Sequence, residues 1–296
     1  MLKQHDVLEI LAPAQWQVPM VFNSPHSGRQ LPKAFVAQSK LALHQLRLSE
    51  DTFVDELFSG CVSVGAPMLR ALLSRSFIDL NREPYELDPR MFIEDVPGYA
   101  NVASARVACG LGTIPRIVAE GLDIYRGRIE IADALQRIES VYRPYHRTLS
   151  LLLDEAHRAT GFVLLFDCHS MPASAVSGSQ RFRGQGVDVV LGDRFGAACD
   201  PGLADWVERQ LASAGLHVSR NRPYAGGFIT ETHGNPRNGR HALQIEVNRS
   251  LYMNEATLER SRDFALLKAL FDDLARGLGD LTSAMAGIGP SKQAAE

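Results

Sequence analysis

The chain has 296 residues, 45% of them hydrophobic, and carries 31 Lys and Arg against 34 Asp and Glu for a formal charge of −3. That balance argues against a nucleic-acid binder relying on a broad basic surface, and the apolar fraction is too high for a disordered chain. Cys61, Cys109, Cys168 and Cys199 form no C-x-x-C pair, which argues against a thiolate zinc finger, an iron–sulfur centre or a disulfide framework and leaves histidine and carboxylate as the metal ligands to look for. The opening MLKQHDVLEI has no long apolar stretch of the kind a secretory signal needs. The longest central apolar run, Phe162–Phe166, is far short of the ~20 residues of a membrane helix. The expectation is a soluble cytoplasmic protein, with neither membrane nor nucleic acid as partner.

In chain order, Val18–Phe22 reads as a strand, Leu46–Phe58 as a carboxylate-rich helix and Arg75–Leu80 as a second strand. From Ile129 to Thr160, Ile131, Leu135, Ile138, Tyr142, Tyr145, Leu149, Leu152 and Ala156 recur at steps of three and four. They form one apolar stripe of helical period, with Pro144 expected to kink it and Gly161 in C-cap position. Strands follow at Phe162–Phe166 and Val187–Leu191, a helix at Pro201–Ala214 with Pro201 in its first turn, a strand at Ala242–Val247 and a helix at Ala256–Leu278. The small polar residues after Leu281 read as a frayed tail over 282–296, leaving 1–281 as a single domain without a linker or repeat. Apolar strands interleaved with helices predict an α/β fold whose strands are covered on both faces.

The informative pattern lies in the polar residues at the end of each apolar run. Val18–Phe22 leads into Asn23-Ser24-Pro25-His26-Ser27-Gly28, and Phe162–Phe166 into Asp167-Cys168-His169-Ser170. Ser76–Ile78 leads into Asp79-Leu80-Asn81-Arg82, and Leu243–Ile245 into Glu246-Val247-Asn248-Arg249. Ligands of open α/β sheets bind beyond the carboxyl ends of strands, so these four ends hold the inventory of a metallohydrolase. A catalytic zinc keeps three protein ligands and one open position; His26 and His169 supply two, and Glu50 or Asp51 is the nearest carboxylate for the third. Glu246 is the candidate general base, and Arg82 could pair bidentately with a substrate carboxylate. Each residue has a structural alternative: a solvated helical Asp51, an Arg82 paired with Asp79 or Glu83, a Glu246 paired with Arg249.

His233, in Glu231-Thr232-His233-Gly234, could reach the site from a loop, and Gly226-Gly227 after Arg222-Pro223-Tyr224-Ala225 marks either a turn or backbone close to a ligand. Gly184-Gln185-Gly186 precedes a strand and is no dinucleotide fingerprint. Cys168 would face away from a metal held by His169, because neighbouring strand residues point to opposite faces.

Taken together and in order, Ser24–Gly28, Ser74–Arg82, Asp167–Ser170, Asn221–Tyr224 and Gln244–Val247 resemble the motifs of the N-formylglutamate amidohydrolases over about Val21 to Met253. The resemblance implies one domain of zinc carboxypeptidase-like, phosphorylase/hydrolase-like fold, a three-layer arrangement with a mixed central sheet and helices on both faces. It implies a hydrolase of histidine catabolism with one Zn2+ per chain on His26, Asp51 and His169, although Glu50 stays open as the acidic ligand. Glu246 would be the base, and Asn81-Arg82 would match the Asn-Arg pair with which related carboxypeptidases hold a free carboxylate. The implied substrate is a small anionic N-acylamino acid, N-formyl-L-glutamate first, whose second carboxylate needs a further cation: Arg75, Arg222 or Arg249. Met171 and Pro172 replace the family's Phe-Thr after Asp-x-His-Ser. Another N-acylamino acid or a short peptide is therefore the alternative substrate, and a non-catalytic carboxylate-binding relative the alternative role.

Overall fold

Strands that must be apolar on both faces are what the sequence offers, and they assemble into one mixed sheet. The computed structural model describes residues 4–176 and 186–288; Gly184, Gln185 and residues 289–296 lie outside them. Seven strands, β1 (Leu8–Leu11), β2 (Met20–Ser24), β3 (Met68–Ala71), β4 (Val163–Met171), β5 (Val189–Gly192), β6 (Val218–Arg220) and β7 (Arg240–Asn248), lie in the order β1-β3-β2-β4-β7-β5-β6. β4 runs parallel to β2 and β7, β5 parallel to β6, and β5 antiparallel to β7. Helices α1 (Ile131–Arg137), α2 (Arg143–Thr160), α3 (Pro201–Ser213), α4 (Phe228–His233) and α5 (Phe264–Met285) are joined by shorter turns. Among the described residues no helix is long and apolar enough to cross a membrane.

The chain divides into two compact units. The unit of Ile10–Ser24, Phe53–Leu69 and Leu149–Glu296 is built on alternation. Leu164, Phe166 and Cys168 of β4, with Leu243, Ile245 and Val247 of β7, pack against Leu203 and Val207 of α3 and Phe271, Leu274 and Leu278 of α5. Phe58 stacks on Phe271 with ring centroids 4.4 Å apart. The intervening residues, Asp167 and His169, Gln244 and Glu246, point to the opposite face, where Thr230 of α4 reaches Gln244. Helices thus cover both faces. Asp200 caps α3 by accepting the Gly202 N–H at 2.8 Å, with Pro201 in the first turn, as expected of a proline whose missing N–H is an orphan there anyway.

The unit of Met1–Glu9, Pro25–Thr52 and Arg70–Thr148 is mostly turns around an aromatic cluster. Phe35, Phe77 and Tyr125 meet edge to face. The buried guanidinium of Arg137 lies over them and donates to Asp133, the Tyr125 hydroxyl and the Phe77 carbonyl.

Four predicted elements differ. Leu46–Phe58 is not one helix: Leu43–Arg47 and Val54–Leu57 are separate turns with non-helical chain between them, the second preceded by Phe53 at a left-handed φ of 69°. Arg75–Leu80 is a set of turns rather than a strand, with Ser74 and Ser76 bonding through their hydroxyls, and the strand lies at Met68–Ala71. In place of a simple Pro144 kink, a π-turn at Ile138–Tyr142 precedes α2, next to a proline with no N–H for an i−4 carbonyl. The last helix begins later and runs to Met285. Thr282, placed in the tail by sequence, is fully buried with its hydroxyl donating to the Leu278 carbonyl at 2.8 Å.

Candidate metal centre

β4 continues beyond its apolar run, and that continuation sets the geometry. Asp167 and His169 stand two residues apart on one face. The parallel register places Asp167 beside Asn23 and Gln244, and His169 beside Glu246, so these side chains share a face. Asn23 Nδ2 donates to Asp167 Oδ1 at 2.7 Å, and Asp167 Oδ2 lies 3.2 Å from His169 Nε2. Gln244 Nε2 donates to Glu246 Oε1 at 2.8 Å. Cys168, on the other face, is fully buried in the core, and burial raises its thiol well above the usual range, as expected of a packing residue rather than a nucleophile.

His26 sits in the turn after β2. Its carbonyl accepts the Asp51 N–H at 3.0 Å, which clips the 49–52 segment beside it. Gly28 is needed here: a Cβ would stand 2.1 Å from the Leu73 carbonyl oxygen. His26 Nε2 lies 2.7 Å from Asp79 Oδ1, and its Nδ1 3.5 Å from Asp51 Oδ2. One donor atom each of His26, Asp51 and His169 lies within 4.8 Å of the others, and all three residues are buried. Glu50 turns elsewhere, accepting from Arg47 Nε at 3.0 Å; burial pushes its carboxyl up to about 7 against the pull of Arg47 and a Ser74 hydrogen bond.

Asp79 is the hub of the turn that replaced the predicted strand. Its Oδ1 takes His26 and the Asn81 N–H at 2.9 Å; its Oδ2 takes Arg75 Nη2 at 2.7 Å, with Arg82 Nη2 at 3.5 Å. Burial alone would raise this carboxyl, but Arg75, Arg82 and His26 outweigh it and hold it well below the usual range. Arg75 also reaches within 3.8 Å of Asp51. Arg82 is fixed by donating to the Leu111 and Asn81 carbonyls, and Tyr142 donates to the carbonyl of Arg82.

Of the remaining sequence candidates, Arg222 is exposed, its carbonyl accepting from the Ser219 hydroxyl. Arg249 donates to Ser170, whose register partner Val247 belongs to the core face. His233 ends α4 toward the amino end of β7, where Asn235 pairs with Arg240. Burial lowers its imidazole to about 4, against the charge of Asp167. Sequence reasoning missed Asp79 as a hub and passed over Asn23, Asp167 and Gln244. The last two carried a signal, being polar residues two places before His169 and Glu246 in otherwise apolar strands.

The arrangement provides two imidazoles and a carboxylate for a cation, a further carboxylate beside them in the strand register, and guanidinium groups around Asp79. A model of the N-formylglutamate amidohydrolase family matches residues 18–253. The N-formylglutamate deformylase of Pseudomonas aeruginosa is 31% identical over 252 residues, covering 83% of this chain and 86% of that protein. That of Pseudomonas putida is 30% identical over 250 residues with the same coverage. A solved N-formylglutamate amidohydrolase from Ralstonia eutropha JMP134 superposes with a TM-score of 0.88 at 34% identity, over 95% of this chain and 99% of that one. A gene product of Agrobacterium tumefaciens shares the fold at a TM-score of 0.66 and 18% identity, over 95% and 97% of the two chains.

Proposed function

The chain belongs to the N-formylglutamate amidohydrolase family, a family of hydrolases, and from that premise we propose that it hydrolyses N-formyl-L-glutamate to formate and L-glutamate with one zinc ion. The observation that carries the reading is the buried His26, Asp51 and His169 group with Glu246 in register beside His169. The donor set fits the metal: two neutral nitrogens and one carboxylate oxygen match the three-ligand, one-open-position pattern of catalytic zinc. Zinc bound there would polarise the scissile carbonyl and acidify a water.

The chain's own residues supply the rest. Glu246 accepts the proton of the attacking water on a carboxylate oxygen and returns it to the departing α-nitrogen. Gln244 holds the other end of that proton path by its bond to Glu246 Oε1. Asp79 fixes His26, and Asp167 stands against His169, the arrangement that orients histidine ligands in metal sites. Arg82, presented by the Asn81 turn, takes the α-carboxylate, and Arg75 or Arg222 the side-chain carboxylate. His233, half-buried at the end of α4 and within electrostatic reach of Asp167, would act through that carboxylate. A second reading, cleavage of N-acylamino acids with apolar groups, is favoured by Met171, which lies on the His169 face in a small apolar cluster with Val176 and Val190.

The test is metal content and formate release from N-formyl-L-glutamate for the wild type and Glu246→Gln. The expected result is about one zinc per chain in both proteins, and a loss of kcat on the order of 100- to 10,000-fold in the variant. A wild type that binds no zinc and releases no formate after zinc reconstitution overturns the proposal; zinc binding with turnover only of apolar N-acylamino acids selects the second reading. Asp51→Ala is expected to lose zinc and Glu50→Ala to keep it, as measured by metal analysis after dialysis.

A further inference from the structure

The Gly226-Gly227 motif has no side chain to offer a metal or a proton, yet its backbone ends on the network of Glu246. We infer that Gln244 is a positioning residue that aims the Glu246 carboxylate, and that the Arg222–Gly227 loop acts on the reaction through it. This rests on the reading of Glu246 as general base.

Gln244 is buried and its amide is used on both sides. Oε1 accepts the Gly227 N–H at 2.7 Å and the Thr230 hydroxyl at 3.3 Å, while Nε2 donates to Glu246 Oε1 at 2.8 Å. The network assigns the amide: a backbone N–H can only donate, so the oxygen must face Gly227 and the NH2 must face Glu246. Rotating the amide would oppose donor to donor at Gly227 and acceptor to acceptor at Glu246, leaving buried polar groups unsatisfied. Side chains two apart on one strand face are only neighbours; here the third point, Gly227, makes Gln244 a strut.

The loop is built to hold that third point. Gly192 of β5 is the register partner of Gln244, and a Cβ on it would stand 2.6 Å from the Gly226 nitrogen and 2.7 Å from the Ala225 carbonyl carbon. The loop backbone lies directly on the strand because residue 192 has no side chain. The Ala225 carbonyl accepts the Arg194 N–H at 2.8 Å. Upstream, Asn221 takes a left-handed φ of 58° and is locked by donating to Asp193 Oδ1 at 2.7 Å while its own Oδ1 accepts the Asp193 N–H at 3.1 Å. Both ends of the Arg222–Gly227 segment are thereby fixed, and with them the direction of the Gly227 N–H, of the Gln244 amide and of the Glu246 carboxylate.

Gln244→Glu tests this, because it keeps the shape and the acceptor for Gly227 and Thr230 but replaces the amide donor to Glu246 with a carboxyl that competes with it for a proton. With zinc-loaded enzyme and N-formyl-L-glutamate, kcat is expected to fall by about 10- to 100-fold, the scale of a misaimed catalytic group, with KM within about threefold and zinc content unchanged. In a Glu246→Asp background, whose shorter carboxylate is out of reach of the strut, the same substitution is expected to cost less than about threefold, a coupling that a purely structural role would not produce. Thr230→Val, which removes only the longer bond to Oε1, should lower kcat by about two- to fivefold with KM unchanged, and it decides the matter if Gln244→Glu does not fold. An unchanged kcat in Gln244→Glu, or in Thr230→Val where that variant decides, overturns the inference, and so does an equal loss in both backgrounds. Full activity in Glu246→Gln would instead overturn the reading of the base.

Discussion

Two buried carboxylates do opposite work. Asp79 faces two guanidinium groups, Arg75 at 2.7 Å and Arg82 at 3.5 Å, with His26 Nε2 at 2.7 Å, and they hold it ionised against its burial. Glu246 takes a neutral amide donor from Gln244. A carboxylate saturated by guanidinium groups is an anchor, because protonating it would strand those charges. A carboxylate aimed by an amide keeps its geometry without having its charge cancelled by that partner, which suits a group that must gain and lose a proton. The sequence offers both as acidic residues after short apolar runs. The difference lies in what the fold brings against them.

Amide isosteres should separate the two most sharply. Asp79→Asn leaves Arg75 and Arg82 facing a neutral group, and it should cost about 3 kcal/mol of stability, the low end of the range for broken buried pairs because the two guanidinium groups remain 19% and 15% exposed. Glu246→Gln, expected to lower kcat, should change stability by less than about 1 kcal/mol, since an amide oxygen can still accept from Gln244. Urea unfolding of the metal-free proteins measures both, and equal losses would erase the distinction between anchor and base. Next in size is Gly192→Ala. Its Cβ meets backbone rather than a movable side chain, so about 1–3 kcal/mol of overpacking strain is expected. A variant as stable as the wild type would show that the loop does not bear on β5.

How much of this could be read from sequence depends on the range of the interactions. β4 and β7 were legible because period-two alternation within an apolar run is local, and it put Cys168 on the face opposite His169; that Glu246 shares the face of His169 comes from the register of the two strands. The run of apolar residues at Phe77, Ile78 and Leu80 misled in the other direction. They are buried, but Ser74 and Ser76 bond to each other across a turn, and buried apolar residues serve a turn as readily as a strand. The helix expected across Leu46–Phe58 stops at Arg47 and resumes only at Val54, behind Phe53, whose left-handed backbone no helical propensity announces. In the non-helical stretch between them Asp51 lies beside His26 and Glu50 stays with Arg47, so adjacent carboxylates that sequence could not rank are ranked by where the helix stops. Asp79 and Gln244 stayed hidden as hubs because the contacts that tie them to other elements, to His26 and to Gly227, span 53 and 17 residues, separations that no spacing rule covers.

The smallest effect concerns a third way of burying a titratable group, with neither cations nor an amide to serve it. Burial holds the His233 imidazole down to about 4 from an ordinary 6.5, opposed in part by Asp167. A lowered pKa means that the folded state resists the proton while the unfolded chain accepts it below about pH 6.5. The contribution of the neutral imidazole to stability is therefore fully present above about pH 6.5 and is lost as pH falls from there toward about 4. At pH 5 the loss should reach about 1–2 kcal/mol relative to pH 7. Glu50 has the opposite sign, since its carboxyl is raised to about 7 and folding is favoured by its protonation at lower pH, so the wild-type profile is a sum of opposing slopes. The difference between the wild type and His233→Gln cancels Glu50 and the other common groups. Urea unfolding of both metal-free proteins at pH 7 and pH 5 should show the variant losing about 1–2 kcal/mol less than the wild type on acidification. Parallel losses would mean that His233 is as free to take a proton in the folded chain as in the unfolded one, and that burial on the α4 face is less severe than on the side where Asp79 needs two arginines to stay charged.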